Sequence, residues 1–266
     1  IDQSFYLITH RRLRAAIDQV LAMRSVPPAP AEALADLILE AHLRGVETHG
    51  LRRLKPYLAR IEAGGINAAT QPVIDAEAAI IRVDGQNGIG HYTARLAADA
   101  ACSRARQHGI AIALVRNSSH FGFAGYYATR IAAQGMVGLA ISNGQALLGP
   151  DGAKRAIFSN NPIALAAPLG EEEFFEFDIA TIVTSRAKIA MAAEQGEAIP
   201  EGMALDQNGN PTTDARAAMK GILLPLGGAK GLAFVAALEL LTGVLPGGCY
   251  ADQVASKEAD ASAHEG

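Results

Sequence analysis

Tryptophan is absent from this 266-residue chain, and Phe, Tyr and Trp together make up only 5% of it. Without stacking surfaces, a platform for single-stranded bases is excluded. Positive charge is not in excess either. Lys and Arg total 23 against 27 Asp and Glu, a formal net charge of −4. That sign is wrong for a protein living on phosphate-backbone contacts, so nucleic acid is excluded as a partner and a small molecule is expected. Two cysteines, Cys102 and Cys249, cannot build a disulfide framework, and a reduced, cytoplasmic setting is expected. No long uninterrupted apolar run occurs. The most apolar stretch, Gly231 to Tyr250, carries Glu239 midway and reads as a buried helix, so no membrane is expected as a partner. No secretory leader is read at the N-terminus, and the missing initiator Met is read as a start that is not the translated one.

What is present is ample for a core: hydrophobic residues make up 50% and charged ones 19%, which excludes a disordered chain. The spacing of apolar residues predicts helices over Phe5 to Arg24, Pro30 to Arg44 and Arg52 to Ala63, the last closed by Gly64-Gly65. Short β-branched runs then predict strands at Ala79–Val83, Ile110–Val115, Met136–Ser142 and Ile163–Ala167. An alanine-rich helix, Tyr92 to His108, is expected between the first two of these strands and ends at Gly109. Residues 196–215 read as a turn-rich loop, and a last apolar helix is expected over Gly231 to Leu245. The fold class is therefore α/β (α+β). Its expected division is a helical N-terminal domain (1–70), a mixed α/β domain (71–248), and a polar tail or incomplete C-terminal segment (249–266).

The 27 glycines do not form a G-x-G-x-x-G fingerprint between a strand and a helix, and no G-x-x-x-x-G-K-[ST] is present. A Rossmann domain is not supported. Nor is there a Ser-His-Asp elbow, an H-E-x-x-H or a Cys/His spacing for zinc, so no metal is expected.

Three constellations remain. In GVETHGLRRLKPYL, Arg53 and Tyr57 fall on one helical face with His49 at its start. Arg grips a carboxylate with two parallel hydrogen bonds and His moves a proton, which suits a small acid. A solvated basic helix with an incidental His fits the same spacing. In VRNSSHFGFAGYY, His120 follows a strand and Gly122 and Gly125 permit close backbone approach, so His120 is a candidate general acid or base, or a cap of the next helix. FSNNP, FDIAT and PLGGAKG offer Asp178 at a strand end, for ribose hydroxyls or a helix cap, and Lys230 for a phosphate or carboxylate. His42 and His108 read as ordinary helix residues.

In this order the pieces resemble the malate/L-lactate dehydrogenase family that is unrelated to the Rossmann lactate and malate dehydrogenases. That family includes ureidoglycolate, sulfolactate, diketogulonate and Δ1-piperideine-2-carboxylate dehydrogenases or reductases. THGLRRLKPYL is similar to its SHG-x-x-R-x-x-x-Y, with Thr48 where Ser is usual. VRNSSHFGFAGYYA resembles its strand–His–loop, SNNP its GTNP and FDIAT its DMAT. IPEGMALDQNGNPTTD and GGAKG match its later loop and its KG turn. The resemblance implies a non-Rossmann nucleotide-binding sheet domain and a homodimer using NAD or NADP. The reaction it implies is hydride transfer between nicotinamide and a small 2-hydroxy or 2-oxo acid such as malate or lactate. A reductase of cyclic 2-imino acids is the alternative, and a non-catalytic small-molecule binder the alternative of another class. His120 resembles the proton donor/acceptor, His49 its rival, and Arg53 the carboxylate anchor with Thr48 and Tyr57 beside it. Asn143, Gly144, Asn161, Asp178, Ile179, Ala180, Lys230 and Gly231 match cofactor-binding positions. The family continues beyond such a final helix, and further residues C-terminal to this sequence are expected.

Overall fold

The computed structural model describes residues 7–170 and 173–254. Residues 5 and 6 of the expected first helix, and 255–266 of the expected tail, lie outside them. The chain starts with two packed helices, α1 (His10–Met23) and α2 (Pro28–Leu43). Thr9 caps α1 by accepting the Arg12 N–H, and Pro28 opens α2 at a position where no intrahelical donor is needed. Two 3-10 turns, Glu47–His49 and Leu51–Arg53, lead into α3 (Leu54–Glu62), so the third helix begins two residues later than its spacing predicts. Ile17, Leu21, Leu34, Ile38, Leu54 and Tyr57 bury a common core with Ile66 and Ile89. Tyr57 is thus fixed by hydrophobic packing before any polar contact is counted.

β1 (Val73–Glu77) and β2 (Ile80–Gly88) form an antiparallel hairpin, and β2 pairs in parallel with β3 (Ile112–Ser118) through the crossover helix α4 (Gly90–His108). Gly109 ends α4 in the left-handed region at φ +82°, as the sequence predicts. α5 (Ala124–Ala132) follows β3 after a five-residue loop. It lays Ala124, Ala128 and Ala132 against Ala164 and Ala166 of a second sheet, antiparallel in the order β4 (Gly138–Ile141), β5 (Ile163–Pro168) and β6 (Phe174–Ile179). Only alanine-sized side chains let helix and sheet approach this closely. The register puts Leu139, Leu165 and Phe177 in one row on the other face, with Phe175 and Ile179 exposed beside it.

A third core lies under the C-terminal elements α6 (Arg186–Gln195), β7 (Ala204–Leu205), α7 (Ala215–Lys220), β8 (Ile222–Leu223) and α8 (Gly228–Glu239). It gathers Leu148, Ile189, Ile199, Leu223 and Val235. The turn-rich stretch 196–215 therefore holds a short strand, and the final helix starts three residues earlier than expected and ends in a π-helical segment, Leu240–Val244. No helix among the described residues is long and apolar enough to cross a membrane.

Candidate active site

The loop after β3 carries His120, and its shape is set by its glycines. Gly122 sits at φ +92°, and a Cβ there would strike the Leu37 side chain of α2. Its N–H is thereby aimed at His120 Nδ1, 3.1 Å away. Tyr57 brings its hydroxyl to 2.8 Å from the same nitrogen. The ring of His49 stacks on His120 with centroids 5.8 Å apart and 19° between planes, and Thr48 Oγ1 lies 3.0 Å from His49 Nδ1. Arg53 joins the group by donating from Nε to the Thr48 carbonyl at 2.9 Å. Among the described residues its terminal guanidinium nitrogens form no ion pair, so the fork is open to an anion. Thr48, His49, Arg53, Tyr57 and His120, separated by up to 72 positions in the chain, are thus one connected cluster.

Two histidines that sequence reasoning passed over hold this cluster. His42, read as an ordinary helix residue, accepts the Leu51 N–H on Nε2 at 2.9 Å and fills the space that a Cβ on Gly50 would need. It fastens the turn carrying Arg53 to α2. His91, in the first turn of α4, is buried and packs edge-on to Tyr57 at 4.9 Å. Burial, with the nearby His49 adding to it, pushes the His91 imidazole down to about 3, so it stays neutral. The signal for His42 was its position one turn from a 3-10 turn; His91 gave only the GHY start of a helix.

The expected cofactor residues form a second group, stitched by backbone. The Asn160 carbonyl accepts both the N–H and the hydroxyl of Thr181, each at 2.8 Å, and the Thr181 carbonyl accepts the Leu226 N–H at 2.9 Å. SNNP, FDIAT and PLGGAKG therefore meet. Glu239, noted in the sequence only for interrupting an apolar run, is buried and accepts from Asn161 Nδ2 (2.7 Å), Asn143 Nδ2 (3.2 Å) and the Ala251 N–H (2.6 Å). An acid in an otherwise apolar helix was the available signal, since a buried carboxylate needs donors. Gly144 faces Ser159 Oγ, and Ile179 and Ala180 are exposed at the end of β6. Lys230 is exposed in the first turn of α8, which starts at Gly227 and Gly228, both at positive φ, without a side-chain cap. At Gly231 a Cβ would run into the Leu226 carbonyl.

Asp178 connects the two groups. Its Oδ2 accepts the Gly125 N–H at 2.8 Å, capping α5. Burial raises its carboxyl, while this hydrogen bond and Arg44 pull the other way. Arg44 itself pairs with Glu40 and Glu176 and lies over the Phe123 ring at 5.8 Å, so α2, β6 and the His120 loop share one anchor.

An oriented imidazole and an open guanidinium fork on a mixed α/β frame can bind a small carboxylate and move a proton beside it. The chain belongs to the malate/L-lactate dehydrogenase family, whose model matches residues 8–266. It is 36% identical over 263 residues to a malate dehydrogenase of Pyrococcus horikoshii, covering 96% of this chain and 73% of that one. It is 35% identical over 239 residues to an L-sulfolactate dehydrogenase of Methanothermobacter thermautotrophicus, covering 90% and 70%. Among solved structures, the Δ1-piperideine-2-carboxylate reductase from Pseudomonas syringae superposes with a TM-score of 0.90 at 31% identity, covering 98% of this chain and 79% of that one.

Proposed function

We propose that this protein moves a hydride between NAD(H) or NADP(H) and a small 2-hydroxy or 2-oxo acid such as malate or lactate. The observation that carries the reading is His120, its ring oriented through Nδ1 and tied through His49 and Thr48 to Arg53 with its open fork. Arg53 holds the substrate carboxylate with Thr48 beside it, and His120 gives or takes the proton at the substrate oxygen through Nε2. His49 stacks on that ring and limits its rotation. Fixing acid and proton donor in one geometry lowers the barrier chiefly through proximity.

The residues present fit a nicotinamide nucleotide. The uncapped N-terminus of α8 offers backbone N–H groups and Lys230 to a phosphate, and Gly231 allows the chain to pass where a side chain could not. Asn143, Gly144 and the Asp178–Ala180 stretch line the neighbouring strand ends, and Asn161 braces them through Glu239. The bound nucleotide supplies the hydride. The division into a helical part (1–70), a nucleotide-binding part (71–248) and a C-terminal segment (249–266) belongs to the same reading. So do a homodimer, supported by the apolar outer face at Leu139, Phe175 and Ile179, and a cytoplasmic setting, supported by the free thiols Cys102 and Cys249.

A second reading, reduction of a cyclic 2-imino acid, is favoured by the likeness to the piperideine-carboxylate reductase structure. The test is loss of nicotinamide absorbance with NADH and NADPH, each offered with pyruvate, oxaloacetate and a cyclic ketimine acid. Oxidation with either oxo acid supports the proposal. Oxidation with the ketimine alone replaces it by the second reading. No oxidation, and no nucleotide-induced rise in melting temperature, overturns both; saturation at 100 times Kd would add about 2.7 kcal/mol.

A further inference from the structure

Gly50 separates the two 3-10 turns that carry the acid-binding side chains, with Thr48 and His49 before it and Arg53 after it. Its φ of −82° is one that any L residue adopts, so no left-handed backbone calls for glycine there. What stands in the place of a side chain is the His42 ring. A Cβ on Gly50 would lie 2.7 Å from His42 Nε2 and 3.0 Å from both Cδ2 and Cε1. From the last turn of α2 the imidazole thus reaches into the notch that the glycine leaves, and its Nε2 accepts the Leu51 N–H at 2.9 Å. An N–H at the start of a helical turn has no partner within that turn, so an acceptor must be brought to it.

Helix α2 is also the reference for the other half of the site. Five residues before His42, Leu37 packs against Gly122 of the loop that carries His120. Two points about 7.5 Å apart on one rigid helix therefore locate the Arg53 turn and the His120 loop. The bonds inside the turn are local: the Arg53 N–H meets the Gly50 carbonyl and Arg53 Nε the Thr48 carbonyl, both at 2.9 Å. They shape the turn without tying it to α2. Core contacts of Leu54 and Tyr57 hold the helix beyond the turn, and the His42 bond holds its beginning.

We infer that His42 is a positioning residue for the substrate carboxylate. Through the Leu51 N–H it sets where the Arg53 fork stands relative to His120, and so sets the affinity for the acid. A nitrogen that accepts carries no proton, so the ring that makes this bond is neutral, with its proton on Nδ1. Without the acceptor the Leu51 amide turns to water and the turn is free to shift. A two-pronged grip suffers first, because both N–H groups of the fork must point at their oxygens together. Ground state and transition state lose this grip alike, which raises KM and spares kcat. His120 stands on a different element and keeps its contacts with Tyr57 and Gly122.

The inference rests on the proposed function, in which Arg53 holds the acid. Two substitutions separate packing from hydrogen bonding: His42→Phe fills the notch without an acceptor, and His42→Gln brings an amide oxygen near the place of Nε2. In steady-state kinetics with the acid that is reduced, His42→Phe should raise its KM about tenfold, with kcat and the nucleotide KM within about twofold. His42→Gln should bring KM back to within about twofold of wild type. An unchanged KM in His42→Phe overturns the inference, and so does an equal loss in both variants or a loss confined to kcat. In 15N NMR of the full chain, with His42→Phe assigning the signal, His42 should show the Nδ1–H pattern. Hydrogen exchange at the Leu51 amide should be slow in wild type and His42→Gln and fast in His42→Phe. An Nε2–H pattern overturns the inference, as does a ring protonated on both nitrogens, a cationic cap for the end of α2. The NMR readings need no turnover. If they hold in a chain that reduces no acid, the functional reading falls and takes the inference with it; if they fail in an active enzyme, the inference alone falls.

Discussion

Gly122 is the hinge on which His120 is set, and its packing can be tested with two substitutions. Gly122→Ala places an L side chain at φ +92°, a cost of about 1–2 kcal/mol. The new methyl also strikes the Leu37 side chain, and such overpacking adds about 1–3 kcal/mol. Leu37 is fully buried on α2, so Leu37→Ala costs about 3–5 kcal/mol through lost transfer energy and the cavity left behind. If the effects were independent, the double variant would lose about 5–10 kcal/mol. The geometry says otherwise: with Leu37 cut back, the methyl introduced by Gly122→Ala enters the vacated space. Only the backbone strain and the cavity then remain, about 4–7 kcal/mol in total. The coupling is therefore a recovery of about 1–3 kcal/mol, read from urea unfolding midpoints of the four proteins at constant m value. Additivity within about 0.5 kcal/mol would refute the packing of α2 against this loop, and with it the account of how the Gly122 N–H is held on His120.

His91→Phe keeps the ring that packs on Tyr57 and removes the buried base. In wild type the unfolded chain takes a proton on His91 below about 6.5 and the folded chain does so only near 3, so stability falls as pH drops through that window, by on the order of 4–5 kcal/mol across all of it. The variant should lose less stability between pH 6.5 and 4 in thermal melts, and an unchanged acid slope would contradict the assignment. Asp178→Ala removes the cap on α5 at Gly125 and should cost about 1 kcal/mol by urea unfolding, with Asp178→Asn recovering part of it through its remaining carbonyl oxygen; equal losses would show that the hydrogen bond is not what matters. Lys230→Ala should weaken NADH or NADPH binding by roughly tenfold in a fluorescence titration, with a shallower salt dependence than wild type, and unchanged binding would remove the α8 start from the nucleotide site.

Much of the framework was legible because its signals are local. α4 is announced by alanine-rich periodicity and a C-terminal glycine, and β2, β3 and β5 by compact β-branched runs. α6 was missed although Ser185 at its start and Gly196 at its end are ordinary punctuation, because RAKIAMAAEQ has no clear apolar stripe. β6 was legible only as a strand end at Asp178, because FFEFDI puts most of its apolar residues outward, and α5 only as the helix after His120, without bounds, because its cap, Asp178, stands 53 positions further along the chain. The same limit governed the site. Its residue types were readable in THGLRRLKPY and RNSSHFG, but the Tyr57–His120 contact spans 63 positions and the Asn143–Glu239 contact 96. No spacing rule reaches that far; only burial explains why an acid in the middle of an apolar helix becomes the anchor for two asparagines.

The two candidate groups are also mechanically joined, and the joint has a direction. Asp178 belongs to the stretch expected at the nucleotide, yet its Oδ2 is committed to the first turn of α5, three residues after Gly122. A ligand that drew this oxygen away would release the Gly125 N–H and loosen the loop that aims the Gly122 N–H at His120. A ligand that left Oδ2 in place and used the exposed Ile179 and Ala180 backbone would leave that loop as it is. The proposed proton transfer would need the second arrangement, because an imidazole free to swing away from the substrate oxygen would forfeit the proximity on which that proposal relies. Asp178 is exposed, yet partial desolvation raises its carboxyl, while the Gly125 hydrogen bond that braces α5, and Arg44, pull it back down.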